Sequence, residues 1–243
     1  MKFVDLHLCV HWGNLEQAKG LIAKSAELGY SQIGVPLSAS VKTETVRVLR
    51  QIAEENSLDL VTRVDIAARS PRELLAGVRR LRRSFEVVAA VCSSKAVALQ
   101  AARDRRVDLL CLPFKDPRWR LFGMAEAGLA SASGVALEID LAQLLSCLSA
   151  GSVVAFLSRL RREVTVAKSC GVPLVFSSGS SEPLFLRKPQ DYAALASLFD
   201  VDDSCALEAL SLHPASIVER NRMKQSPEYV APGVRVVREA SVR

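Results

Sequence analysis

Residues 59–81 read DLVTRVDIAARSPRELLAGVRRL, and the fold follows from how they divide. Residues 59–66 form a mostly apolar run suited to a buried strand. Ser70-Pro71-Arg72-Glu73 is a capping box with proline at the first helical position. Its serine oxygen can accept from the Glu73 N–H, and its carboxylate can reach back to Ser70. One strand–helix unit is therefore legible from its own local chemistry.

The same unit recurs in both directions. Apolar runs begin near 3, 31, 59, 85, 107, 134 and 172, at spacings of 28, 28, 26, 22, 27 and 38 residues. Helical stretches lie between them, over 14–28, 40–55, from Ser70, 94–103, 117–130 and 152–169, with two more at 189–199 and 203–211. Units of ~30 residues whose strands are apolar on both faces predict a parallel sheet. No GxGxxG turn marks an open nucleotide-binding sheet, so a closed barrel is expected. The fold class is thus α/β: a distorted single-domain TIM-like (β/α) barrel of seven to eight parallel strands. The eighth unit is open, because residues 209–212 (ALSL) read as a helix end or a very short strand. The barrel is assigned to 1–222, and 223–243, with Pro227, Pro232 and Gly233, to a loose tail.

Composition agrees with a folded, soluble, intracellular chain. Of the 243 residues, 49 % are hydrophobic and 24 % charged, with no apolar run long enough for a membrane span and no apolar N-terminal leader. Six cysteines without a CxxC pair read as buried, reduced thiols. The net charge of +6 is concentrated: residues 57–120 hold 14 Lys/Arg against 7 Asp/Glu, whereas 121–158 hold no Lys or Arg. Arginine outnumbers lysine 23 to 9, which suits phosphate recognition through the guanidinium fork. Two arginine clusters, Arg79-Arg80-Arg82-Arg83 and Arg103-Arg105-Arg106, fall late in their helices, where the helix dipole favours cations whatever the function.

In such a barrel, chemistry belongs at the C-terminal ends of the strands. Asp5, His7 and Cys9 alternate on the first strand. Asp-x-His-x-His would offer a metal pair, but Cys9 breaks it; Asp65 and Glu138 remain as carboxylates. The fifth strand leads into Pro113-Phe114-Lys115-Asp116-Pro117-Arg118-Trp119-Arg120, where cations alternate with aromatics as on a phosphate-and-base surface. Ser177-Ser178-Gly179-Ser180 could cradle a phosphate with backbone N–H groups, or be a plain turn. Arg187 and Lys188 precede a helix starting at Pro189 and would face the Lys115 rim. Arg63 and Lys95 are further cations near strand ends or helix starts. His213, just before Pro214, reads as a helix-boundary residue.

In order, these motifs resemble the archaeal ribonuclease P protein component 3 family, relatives of the eukaryotic 30-kilodalton subunit. The resemblance rests on Phe3-Val4-Asp5-Leu6-His7, Val107-Asp108-Leu109-Leu110, Lys115-Asp116-Pro117, Gly134-Val135-Ala136-Leu137-Glu138-Ile139, Ser177-Ser178-Gly179-Ser180, Arg187-Lys188-Pro189-Gln190-Asp191 and Ala209-Leu210-Ser211-Leu212-His213-Pro214. It covers residues 3–222. It implies a barrel related to the PHP metal-dependent hydrolases but without their full metal site. It also implies a cytoplasmic subunit of the ribonucleoprotein that removes the 5′ leader from precursor tRNA. No cofactor is then expected on the protein, and the Mg²⁺ is required by the RNA component. The implied partners are the ribonuclease P RNA, precursor tRNA indirectly, a small ferredoxin-like subunit and other ribonuclease P proteins, with no membrane. By motif, Arg187 and then Lys115 are the RNA contacts. Arg118, Arg120, Lys188, Lys95 and Arg63 are added from local chemistry. The 121–158 stretch, without Lys or Arg, is a candidate protein-partner side. Two other readings compete: a PHP-like phosphoesterase using His7, Asp65 and Glu138, and a barrel enzyme holding a small phosphorylated metabolite at Ser177–Ser180.

Overall fold

A computed structural model describes residues 1–11, 13–114, 120–145, 150–231, 234 and 235. β1 (Phe3–Asp5) is followed by α1 (Leu15–Glu27), β2 (Tyr30–Pro36), α2 (Thr43–Glu55), β3 (Asp59–Ala68) and α3 (Pro71–Leu81). Then come β4 (Val87–Cys92), α4 (Lys95–Arg103), β5 (Leu109–Cys111), α5 (Met124–Ser133), β6 (Ala136–Asp140) and the short α6 (Ala142–Leu145). The chain continues through α7 (Ala150–Ser169), β7 (Leu174–Ser177), α8 (Pro189–Ala196), α9 (Asp203–Ala209), α10 (Leu212–Gln225) and a hairpin of β8 (Tyr229–Ala231) and β9 (Val234–Arg235). Strands β1 to β7 lie side by side in sequence order and every pairing is parallel. The unit first read from sequence is real: Ser70 Oγ accepts from Glu73 N, and Glu73 returns a carboxylate oxygen to the Arg69 N–H.

The seven-stranded sheet curls into a nearly closed barrel, in which β7 and β1 form no strand ladder. At the seam, Gly179 N donates to the His7 carbonyl and Cys9 N to the Ser180 carbonyl, while at the other end Val4 N donates to the Leu210 carbonyl. Residues 209–212 are thus the junction of two helices, Ala209 ending α9 and Leu212 starting α10, and the Leu210 carbonyl between them serves where an eighth strand was open. His213 lies in the first turn of α10, and its Nδ1 meets the Leu174 carbonyl at 2.8 Å, tying that helix to the start of β7. Inside the barrel sit Val4, Leu6, Val61, Val87, Ala89, Leu109, Ala136 and Val175, with Ile217 and Val218 of α10 among them. A larger apolar layer lies between sheet and helices.

Some boundaries differ from expectation. The helix expected over 117–130 starts at Met124, after Gly123, whose N–H donates to Glu126. α10 passes residue 222, and the assigned tail begins with the end of this helix and the β8–β9 hairpin. Of the described cysteines only Cys92 is fully buried; Cys9, Cys111, Cys170 and Cys205 are partly exposed, all as free thiols. Among the described residues no helix is long and apolar enough to cross a membrane.

Candidate functional site

Strand side chains repeat with period two, so the residues two beyond the inner apolar layer form the next layer of the barrel. After Val61, Leu109, Ala136 and Val175 come Arg63, Cys111, Glu138 and Ser177. Arg63 is 0 % exposed. Its Nη1 and Nη2 donate to the two Glu138 oxygens at 2.5 and 2.7 Å, its Nε to Asp65 Oδ1 at 2.6 Å, and Nη1 also to the Leu6 carbonyl at 3.0 Å. Ser177 Oγ and Cys111 Sγ donate to the same Glu138 carboxylate at 2.6 and 2.7 Å. Burial alone would raise the Glu138 pKa; the Arg63 charge and hydrogen bonds overcome it and hold the carboxyl at about 2. His7 stands above them, 3.6 Å from Asp65, 3.4 Å from Asp140 and 3.4 Å from Cys9 Sγ. Burial and Arg63 disfavour its charged form, but Asp140, Cys9 and Glu138 prevail and raise its pKa well above the usual value. Asp5 does not join this group: its Oδ1 accepts from the backbone N–H of His7 and Ser178, locking the seam.

This arrangement corrects three readings. Arg63 is not an RNA contact, because its guanidinium is sealed inside the barrel and consumed by carboxylates. Nor do His7, Asp65 and Glu138 make a metal centre. A guanidinium already grips Glu138 and Asp65, and a divalent cation there would meet a buried like charge. Among the described residues no three of His, Cys, Asp and Glu gather so as to hold a metal. The serine turn is no phosphate cup either. The N–H groups of Ser178, Gly179 and Ser180 donate to Asp5, the His7 carbonyl and Ser178 Oγ respectively, which leaves none of the three for a ligand.

The outward cations are placed as follows. Arg187 is half-buried; its Nη1 donates to the Leu184 and Leu186 carbonyls at 2.7 and 2.9 Å, and its own carbonyl accepts from Tyr30 Oη at 3.2 Å. Among the described residues it forms no salt bridge, so its positive charge is uncompensated. Lys188 is exposed at the N-cap of α8, its backbone N–H held by Asp191 Oδ2. Lys95 opens α4, and its Nζ lies 3.5 Å from the fully buried Glu126, which commits part of its charge to the fold. Arg120 is exposed. Lys115 and Arg118 lie outside the described residues.

Sequence reasoning missed Arg159. This buried residue of α7 donates to the carbonyls of Leu112 and Pro113 at 3.0 and 3.1 Å, pairs with Glu163 at 2.8 Å and lies 5.7 Å from the centre of the Phe114 ring. Phe114 packs edge-on against Phe156, with ring centres 4.9 Å apart. The signal was an Arg/Glu pair four apart on an otherwise apolar helix face.

At the opposite end of the barrel, several arginines brace the fold. Arg82 pairs with Asp108 and donates to the Phe85 and Glu86 carbonyls, Arg220 also reaches Asp108, and Arg222 bridges Asp59 and Glu86.

The sequence profile of the family described as RNase P subunit p30 matches residues 2–226. Ribonuclease P protein component 3 of Methanothermobacter thermautotrophicus is 29 % identical, over 99 % of this chain and 97 % of that protein. The protein of the same description from Methanosarcina mazei is 30 % identical over 94 % of each chain. A chain in the cryo-EM structure of archaeal ribonuclease P with mature tRNA superposes with a TM-score of 0.82 at 21 % identity, covering 98 % of this chain and 100 % of that one. At that identity the likeness shows a shared fold.

Proposed function

The chain belongs to the RNase P subunit p30 family, and on that premise we propose that it is a protein subunit of ribonuclease P, binding and steadying the RNA that removes the 5′ leader from precursor tRNA. The observation that carries this reading is the extent of the match: residues 2–226 include the whole barrel and α10, not one motif. The interior supports it, because the layer where a barrel hydrolase would do chemistry is closed by Arg63 and Glu138. What the chain offers instead is positive charge on its surface, at Arg187 and Lys188 above all.

The physical role is charge neutralisation. Arg187, Lys188 and Arg120, with Lys115 and Arg118, would face phosphates that repel one another as the RNA compacts. Binding releases counterions and so weakens with salt. Recognition would be of backbone and shape more than of base edges. Mg²⁺ belongs to the RNA in this scheme, and the protein lowers the concentration required. Protein partners, among them a small ferredoxin-like subunit, would take the charge-poor 121–158 side, where Met124 and Val154 stand exposed at 62 % and 64 %.

The test is precursor-tRNA cleavage by a homologous ribonuclease P RNA at low Mg²⁺, with the other protein subunits, with and without this chain. Stimulation that falls for Arg187→Ala with Lys188→Ala supports the role. No stimulation by folded protein refutes it.

A further inference from the structure

The cations bracing the N-terminal end of the barrel are not all used by the fold. Arg82 and Arg106 are held by Asp108 and Asp104. Beside them Arg83, just past the end of α3, Arg105, in the α4–β5 turn, and Lys224, near the end of α10, are all exposed, and none forms a salt bridge among the described residues. The five line one concavity of about 520 Å³ with Asn221 and Gln225. Three separate parts of the chain thus converge their positive charge on one hollow. Burial first, and then repulsion from Arg220 and Arg82, lower the Lys224 pKa although Asp108 opposes them.

We propose that this hollow is a second RNA-binding surface, taking the phosphodiester backbone of the RNA at the end of the barrel opposite the Arg187 rim. The inference rests on the reading of the chain as a ribonuclease P subunit. Its volume would suit a small-molecule site, but such sites are lined mainly by hydrophobic and aromatic residues, and none lines this one, whose carbon surface comes from the stems of its polar side chains. The same lack argues against a protein partner, whose interface core would need apolar or aromatic anchors. Interfaces with nucleic acid are polar and strongly positive, as here. The helix dipole accounts for Lys224 in the last turn of α10, but Arg83 and Arg105 lie beyond the last turns of α3 and α4, and no dipole gathers the three around the same space. Arginine also presents a fork matched to phosphate oxygens. The chain would then touch RNA at two ends of one rigid barrel and fix the relative positions of two RNA segments.

The experiment compares the full-length protein, Arg83→Ala/Arg105→Ala/Lys224→Ala and Arg187→Ala/Lys188→Ala for binding to in-vitro-transcribed ribonuclease P RNA across a salt series. All three residues of the first variant are exposed, and circular dichroism confirms folding. Each lost phosphate contact should lower the log–log salt slope by about 0.7–0.9. Between 50 and 200 mM salt, wild-type affinity should therefore fall roughly 20- to 40-fold more than that of the triple variant. Arg83→Lys/Arg105→Lys should keep the wild-type slope. An unchanged slope in the triple variant, with a reduced one in the Arg187/Lys188 variant, overturns the second surface and leaves the subunit reading standing. Wild-type protein that does not bind the RNA overturns both. Inorganic phosphate or a poly-glutamate peptide binding the hollow, while the RNA slope stays unchanged in the triple variant, marks a small-anion or acidic-protein site and also overturns the proposal.

Discussion

Replacing Arg63 by methionine removes a charge from the centre of the barrel while keeping much of its volume. Glu138 then remains, fully buried, with only Ser177 and Cys111 as donors. In the native protein its carboxyl is held at about 2 against an ordinary 4.5, which corresponds to about 3 kcal/mol of stabilisation of the ionised form. Breaking a buried pair by deleting one partner typically costs about 3–5 kcal/mol, in agreement. The pH dependence gives the sharper test. In the native protein the folded pKa is depressed, so the Glu138 contribution is present above about 4.5 and lost as pH falls toward about 2. In Arg63→Met burial outweighs the remaining His7 charge and the Ser177 and Cys111 hydrogen bonds, the folded pKa rises above the unfolded one, and the variant gains stability as pH falls from 7 toward 4.5. His7 is raised in the native protein, so its contribution is present below about 6.5 and lost as pH rises. The wild-type-minus-variant difference from urea unfolding should therefore shrink by more than ~1 kcal/mol between pH about 7 and about 5, and His7, freed from the Arg63 charge in the variant, shifts it in the same direction. Arg63→Met/Glu138→Leu should recover most of the loss, since apolar replacements of both partners are often tolerated. A loss below ~1 kcal/mol at neutral pH, or one independent of pH, would refute the assignment of Arg63 as the cation that closes the barrel.

Arg187→Ala with Lys188→Ala should raise the Mg²⁺ needed for half-maximal precursor-tRNA cleavage while excess Mg²⁺ restores the rate; an unrescued loss would point to misfolding or to a lost protein contact. Arg159→Leu strands Glu163 in the core and frees the Leu112 and Pro113 carbonyls, so it should cost about 2–4 kcal/mol and speed proteolysis at residues 114–120, read by limited digestion and mass mapping. Gly179→Ala forces a left-handed residue (φ 61°) to carry a Cβ that would collide with the Asp140 carboxylate. Its cost of about 2–4 kcal/mol should lower Tm by roughly 5–15 °C in a melt followed by circular dichroism.

Local chemistry made much of the architecture legible in the sequence. Ser70-Pro71-Arg72-Glu73 starts a helix through its own hydrogen bonds, and Ser94 caps α4 the same way. Apolar runs every 22 to 38 residues sufficed for a parallel barrel, because a strand buried on both faces is written in consecutive residues. The start of α5 was misplaced because a glycine cap carries no side-chain signal, and the proline at 117 offered a stronger one. The family, too, was legible from ordered motifs along residues 3–222, and the match over residues 2–226 agrees with it.

The site was less legible. Arg63 read as one cation among many, since its partners lie 75 residues away at Glu138 and across the barrel at the Leu6 carbonyl. Burial of a charge depends on what surrounds it in space, and a sequence window does not contain that. The Ser177–Ser180 turn looked open because the N–H groups of Ser178 and Gly179 find acceptors at Asp5 and His7, some 170 residues earlier. The same holds for the arginines at the far end: Arg82 and Arg106 brace the fold while neighbouring Arg83 and Arg105 face solvent. Sequence by itself determined the strand–helix rhythm, the barrel class and the family, because these rest on interactions a few residues apart. Only the tertiary structure decided which charges are spent inside and which remain for a partner, because a charge is neutralised by whatever stands within a few ångströms, however distant in the chain.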